Sequence, residues 1–217
     1  MALAIFDLDN TLLGGDSDFL WGRYLCENGI VDAEAYRRAN EHYYEQYQHG
    51  SLDIAEFLEF VFKPLATHSI EQLEIWREAY LEQKIKPIIL PAAEALIAQH
   101  RAQGDTLLII TATNSFLTAP IAKMLGIEHL IATDPELVAG RYTGRVAGIP
   151  SFQQGKVTRL TSWLKQHQQN LDGSIFYSDS HNDIPLLELV DTAVAVDPDP
   201  KLQAVAEQRG WKVLSLR

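Results

Sequence analysis

The sequence predicts an α/β fold: a mostly parallel sheet covered by helices on both faces, with a block of helices inserted soon after the first strand. Three observations carry that prediction. From residue 87 onward, short apolar runs of strand length alternate with segments of helical periodicity, the pattern of βαβ units. Residues 14–86 show helical spacing only and contain no strand-like run. A set of carboxylates, hydroxyls and one lysine falls where the strands give out, the edge at which open α/β sheets bind ligands.

In chain order, Leu3, Ala4, Ile5 and Phe6 make the first strand, which runs into Asp7-Leu8-Asp9-Asn10-Thr11-Leu12. Residues 16–28, 32–49, 52–62 and 70–84 carry apolar residues at helical spacing. Gly29, Gly50 and Lys63-Pro64 punctuate them, and Ser69-x-x-Gln72 is a capping box for the last. Tyr36, Tyr43, Tyr44 and Tyr47 form an aromatic stripe that reads as helix packing. Residues 92–102 read as a helix closed by Gly104. Residues 106–111 are a nearly continuous apolar run, as in a strand buried on both faces. Residues 116–125 form a helix closed by Gly126, with Pro120 acceptable only near its first turn. A strand at 129–133, a hairpin at 137–146 about Gly140-Arg141, a helix at 156–167 and a strand at 174–178 follow. Then come a helix near 184–190, a strand at 192–196, a helix opened by Asp199-Pro200 and running to about residue 208, and an edge strand at 211–214.

The 217 residues provide for one domain plus an insertion, and 47% hydrophobic with 22% charged residues is an ordinary globular composition. A formal net charge of −11 argues against binding a nucleic-acid backbone. It leaves room for a small anionic substrate, because a metal ion inverts the local field. Cys26 is the only cysteine, so no intramolecular disulfide can form, which suits a reducing compartment. No apolar run approaches the ~20 residues of a membrane span. No basic region precedes the short N-terminal apolar run, so a cytoplasmic protein without a signal peptide is expected.

Asp7 and Asp9 lie one residue apart at the end of the first strand. If extension continues, both project to one side; if the chain coils, the carbonyl of Asp9 turns in and its side chain swings away. Such close like charges call for a cation between them. The next buried strand ends in Thr111-Ala112-Thr113-Asn114, Gly155-Lys156 opens a helix, and a later strand ends in Ser178-Asp179-Ser180-His181-Asn182-Asp183. Taken singly these are common features: a solvated turn, a helix-capping threonine, a surface lysine, acids in a helix's first turn. Taken together they supply hard oxygen ligands for Mg²⁺, hydroxyl and amide donors, and a cation for phosphate oxygens, the parts of a phosphoryl-transfer site.

That order of motifs resembles the haloacid dehalogenase (HAD) superfamily of phosphohydrolases. Residues 6–12 are similar to its first motif, Thr111 to its second, Lys156 to its third, and Asp179 with Asp183 to its fourth. The helical block resembles the cap of the phosphoserine-phosphatase-like branch, subfamily IB. The resemblance implies a Rossmann-like core over residues 1–13 and 88–217 and a helical cap over 14–87. It implies Asp7 as the nucleophile that forms an aspartyl-phosphate, and Asp9 as general acid and base. Thr111, Ala112 and Lys156 would hold the phosphate. Mg²⁺ would be held by Asp7, Asp179 and the carbonyl of Asp9, with Asp183 and Asn182 behind them.

The expected activity is Mg²⁺-dependent hydrolysis of a small phosphorylated metabolite. Transfer to an acceptor alcohol and a non-catalytic binding module are the alternatives. Substrate contacts are expected from Asp16, Asp18 and Arg23, with Trp21 beside them. The second motif reads Thr111-Ala112-Thr113 where phosphoserine phosphatases usually carry Ser-Gly-Gly, and Ser178 stands where a glycine often precedes the aspartate. Acids in the cap suit an amine-bearing substrate, so histidinol phosphate stands beside phosphoserine as a candidate.

Overall fold

The computed structural model describes residues 2–217. Six parallel strands form the central sheet: β1 (Leu3–Phe6), β2 (Thr106–Asn114), β3 (His129–Thr133), β6 (Ile175–Ser178), β7 (Thr192–Val196) and β8 (Lys212–Leu214). Their order is β3-β2-β1-β6-β7-β8. The chain therefore leaves β1 in one direction and returns to its other side, so the strand order reverses at β1/β6. In open α/β sheets a crevice forms outside the carboxyl ends of the strands at such a reversal. The remaining two strands, β4 (Pro135–Val138) and β5 (Arg141–Val146), pair as a separate antiparallel hairpin.

Alternation along the strands splits the core into two layers. Leu3, Ile5, Leu108, Ile110, Phe176 and Ala195 face α7 (Gln154–His167), α8 (Ile184–Leu187) and α9 (Pro200–Arg209). Ala4, Phe6, Leu107, Ile109, Tyr177 and Val194 face α5 (Pro91–Ala102) and α6 (Ser115–Met124). The helices of the inserted block are α1 (Ser17–Glu27), α2 (Ala33–His49), α3 (Ile54–Thr67) and α4 (Ile70–Tyr80). Their apolar residues Trp21, Leu58, Phe62 and Leu73 belong to this second layer, so block and sheet share one continuous core.

Several boundaries differ from the sequence reading. Helix α3 does not stop at Lys63-Pro64 but runs through Pro64 to Thr67. Its buried stripe of Leu58, Val61, Phe62 and Leu65 continues across the proline, and that burial outweighs one missing amide donor. The helix expected to reach Lys84 ends at Tyr80, passes through a π-turn (Leu81–Ile85) and closes in a 3₁₀ turn (Lys86–Ile88). Strand β2 runs three residues past Thr111, with a register shift against β3 between Ile110 and Asn114. Helix α8 stops at Leu187 rather than Val190.

Pro120 is the sixth residue of α6, not part of its first turn. A proline there leaves the carbonyl of Phe116, four residues back, without its helical donor. Arg77 of α4 fills the place: Nη1 donates to that carbonyl at 3.0 Å, and the guanidinium carbon lies 4.5 Å from the Phe116 ring centroid. Sequence spacing cannot reveal a donor that arrives from 39 residues away. Arg77→Met is expected to cost on the order of 1–2 kcal/mol in urea unfolding. Adding Pro120→Ala should recover part of that loss, because an alanine amide again serves the Phe116 carbonyl.

Candidate active site

Asp7 follows β1 directly, its amide donating to the carbonyl of Tyr177 on β6 at 2.9 Å. Its Oδ1 accepts from Lys156 Nζ at 2.8 Å, and Nζ also donates to Asp183 Oδ2 at 2.8 Å. Ser178 Oγ donates to the same Asp183 oxygen at 2.7 Å. Asp7, Lys156 and Asp183 are 4%, 3% and 1% exposed, so this is a dry ion-pair network. Lys156 reaches it from the first turn of α7. Gly155 makes that turn possible: a Cβ there would lie 2.1 Å from the carbonyl oxygen of Pro150.

Asn10 takes a left-handed φ of 57°, a conformation asparagine tolerates better than most residues, and the chain reverses there. Asp9 thereby has a different environment from Asp7. Its Oδ1 accepts from the Ser17 amide at 2.7 Å and its Oδ2 from Thr113 Oγ1 at 2.8 Å. Thr11 Oγ1 donates to Asp179 Oδ1 at 3.2 Å and accepts from the Asp179 amide at 3.1 Å, tying the first loop to the loop after β6. Thr111 is buried, its Oγ1 accepting from the Thr113 amide at 3.2 Å.

A cavity opens above these groups. Its floor is Asp7, Asp9, Thr111, Ala112 and Thr113; its roof comes from the helical block, with Asp16, Asp18, Phe19, Asn40 and the tyrosines at 43, 44 and 47. The tyrosine stripe expected to serve helix packing thus does two jobs. Tyr36 and Tyr43 pack on Phe60, while Tyr43, Tyr44 and Tyr47 line the cavity. Two of the three expected substrate residues, Asp16 and Asp18, are at the roof. Arg23 is not. It pairs with Glu27 at 3.5 Å with its side chain 55% exposed, one helical turn too far along α1 to face the site. Trp21 is buried among Tyr24, Tyr80 and Phe116 in the core. None of the described residues lining the cavity is lysine or arginine.

Burial raises the carboxyls of Asp7, Asp9, Asp16, Asp18 and Asp179. Asp7 is pushed up to about 7, chiefly by burial, with Lys156 pulling down and Asp183 adding to the rise. Asp179 is raised by burial and by the charges of Asp7 and Asp183. Burial also raises Asp9, against the hydrogen bonds from Ser17 and Thr113. Asp16 rises through burial and the neighbouring charge of Asp9. Asp18 reaches about 7 through burial and the charge of Asp9, with the Asn114 amide opposing. Lys156 goes the other way: burial disfavours its charge, yet Asp183 and Asp7 outweigh burial and keep it an ammonium.

Sequence reasoning missed several residues that hold the site. Asn114 caps α6 through Oδ1 and donates Nδ2 to Asp18 Oδ1 at 3.2 Å. Tyr80 donates its hydroxyl to the Ser17 carbonyl at 2.6 Å, steadying the amide that holds Asp9. Asn182, which the sequence reading did place behind the metal ligands, is buried, donating to the Tyr47 carbonyl and accepting from Gln153 Nε2 at 2.9 Å. Thr113, two residues beyond Thr111, had a detectable signal: same-face spacing on an extended strand.

The chain matches the family model described as haloacid dehalogenase-like hydrolase over residues 4–188. It is 44% identical over 219 residues to a protein of Neisseria meningitidis serogroup C (strain 8013) named histidinol-phosphatase, covering 99% of each chain. A crystal structure of a protein of unknown function from Bordetella pertussis Tohama I superposes with TM-score 0.94 at 45% identity, covering 100% of this chain and 99% of that one. A structure titled as a phospho-aspartyl intermediate analogue of phosphoserine phosphatase superposes with TM-score 0.73 at 18% identity, covering 100% and 93%, which speaks to the fold.

Asp18 yields a test of stability. Its carboxyl has an ordinary value of 3.8 and is raised to about 7 in the fold. The folded state therefore holds the proton more tightly across that window. Stability from this residue grows as pH falls from 7 towards 4, and above 7 its burial penalty is undiminished. Asp18→Asn should stabilise the protein at pH 8 by on the order of 2–4 kcal/mol in urea unfolding. It should also flatten the rise in stability between pH 8 and pH 5.

Proposed function

Because the chain belongs to the haloacid dehalogenase-like hydrolase family, we propose that it is a phosphomonoesterase acting on a small metabolite through an aspartyl-phosphate. One observation carries the reading: two carboxylates a residue apart have different partners. Asp7 faces an ammonium in a dry pocket, while Asp9 is held by an amide and a hydroxyl, and burial raises the pKa of both. Distinct partners, not distinct pKa shifts, fit them to distinct roles.

The donor set suits Mg²⁺. Three carboxylates, Asp7, Asp179 and Asp183, share one buried ammonium, an excess of negative charge on hard oxygens. Among the described residues no three His, Cys, Asp or Glu side chains converge as a ready cluster. As the family resemblance implies, the protein ligands would be the carboxylates of Asp7 and Asp179 with the backbone carbonyl of Asp9, whose own carboxylate is held by Ser17 and Thr113. Bound there, the ion would mask the charge on nucleophile and phosphate.

The remaining work falls to side chains. An Asp7 oxygen attacks phosphorus as the ester oxygen departs with the proton of Asp9. Asp9 then takes a proton from the water that attacks the acylphosphate, releasing inorganic phosphate and restoring the Asp7 carboxylate. Lys156, the Thr111 hydroxyl and the Ala112 backbone hold the phosphoryl oxygens as charge redistributes. Asp183 and Ser178 orient Lys156, with Asn182 bracing the same loop.

The roof selects the leaving group. Asp16 and Asp18 favour a protonated nitrogen, the aromatic rings favour a flat body, and the absence of Lys and Arg from the described lining disfavours a carboxylate. Histidinol phosphate meets all three conditions, and the Neisseria relative carries that name. Phosphoserine would set its carboxylate against two acids.

Three measurements test this reading. Asp7→Asn should lower hydrolysis of an aryl phosphate at least about a thousandfold while the variant stays folded, and retained activity rules out the mechanism. Removal of divalent cations with EDTA should abolish turnover and Mg²⁺ should restore it. With wild-type protein, kcat/KM for histidinol phosphate should exceed that for phosphoserine by at least about tenfold, the scale of one charged contact; equality or the reverse order rules out the substrate assignment.

A further inference from the structure

Helix α2 is a polar helix with one buried residue, Asn40. Its amide lies flat on α1 over Gly22. A Cβ at Gly22 would stand 2.7 Å from Asn40 Nδ2 and 2.8 Å from both Cγ and Oδ1, so only glycine admits the contact. Asn40 Nδ2 donates to the carbonyl of Phe19 at 3.1 Å, which sets the amide's orientation, because the flipped form would oppose two oxygens. Asn40 Oδ1 has no partner among the described hydrogen bonds.

Asn40 lines the catalytic cavity beside Asp18 and Phe19. It and Phe19 also line a second, outer cavity of ≈ 360 Å³ beneath Arg23 and Arg37, so the two residues form the partition between the spaces. The amide's donor is committed to Phe19, so its oxygen is the group left free for a ligand. Asn40 shares the lining of the catalytic cavity with the carboxylates of Asp16 and Asp18.

We propose that Asn40, seated by Gly22, is a specificity-determining residue that accepts a hydrogen bond from the nitrogen-bearing end of the leaving group. The proposal rests on the amine-bearing substrate class argued above and adds the residue pair that enforces it. Asn40 ends the inner cavity at the partition, so the donor must come from a group short enough to stop there.

The test is the ratio of kcat/KM for histidinol phosphate to kcat/KM for 4-nitrophenyl phosphate, whose leaving group carries no amine. Asn40→Leu should lower that ratio about tenfold to a hundredfold, the range for a lost hydrogen bond to a charged donor. Most of the loss should appear in KM for histidinol phosphate. Gly22→Ala should lower the ratio in the same direction by displacing the amide. Thermal unfolding of each variant checks the fold. An unchanged ratio in Asn40→Leu overturns the assignment, as does equal loss on both substrates, the mark of packing only. Wild-type protein that cleaves the aryl phosphate but not histidinol phosphate overturns the substrate reading, and this assignment with it.

Discussion

One buried ammonium sets the terms for the rest of the structure. Lys156 touches Asp7 just after β1 and Asp183 from the loop after β6, and it comes from the first turn of α7. Those three pieces of chain are far apart in sequence and adjacent only because β1 and β6 pair at the reversal of strand order. A network this dry contributes little net stability, since desolvation consumes what Coulomb attraction returns. Its value lies in register: if α7 slides, or a side chain at position 155 meets Pro150, the ammonium leaves its carboxylates.

The second acid depends on the helical block. Tyr80 at the end of α4 holds the carbonyl of Ser17, and the Ser17 amide holds Asp9. A π-turn begins immediately after Tyr80, a distortion often found near functional sites. Thr113 completes the setting from β2, within the register shift that re-aims the strand's end. The difference between Asp7 and Asp9 is thus a tertiary product of four segments. The shared core of block and sheet is what holds those segments in step.

Around these groups the chain breaks the local rules it keeps elsewhere. Asp16 and Asp18 are acids in a buried roof without a lysine or arginine among the lining residues, and Asn40 is an amide where a helix would otherwise bury carbon. Conflicts between local preference and environment concentrate where a ligand is to be recognised. Among the described residues no helix is long and apolar enough to cross a membrane.

Much of the fold was legible because strand ends are chemically abrupt. Leu3–Phe6, His129–Thr133 and Thr192–Val196 stop where apolar residues meet acids or turn formers, and they coincide with the observed strands. The order Asp7, Asp9, Thr111, Lys156, Asp179, Asp183 was legible as well, because each falls at a strand's carboxyl end or a helix start. The prolines were not. Pro64 and Pro120 stay inside helices by virtue of burial and, for Pro120, an arginine 43 positions earlier in the chain. Arg23 looked like a substrate residue by proximity, yet it lies a helical turn beyond the site and pairs with Glu27.

The sequence by itself determined which groups meet at the sheet's edge and in what order. Only the tertiary structure decided their partners: Thr113 with Asp9, Asn114 with Asp18, Tyr80 with Ser17, and Asn40 over Gly22. The reason is physical. Periodicity specifies which face of an element is buried, but a hydrogen bond between side chains 96 or 104 residues apart depends on how helices settle on the sheet.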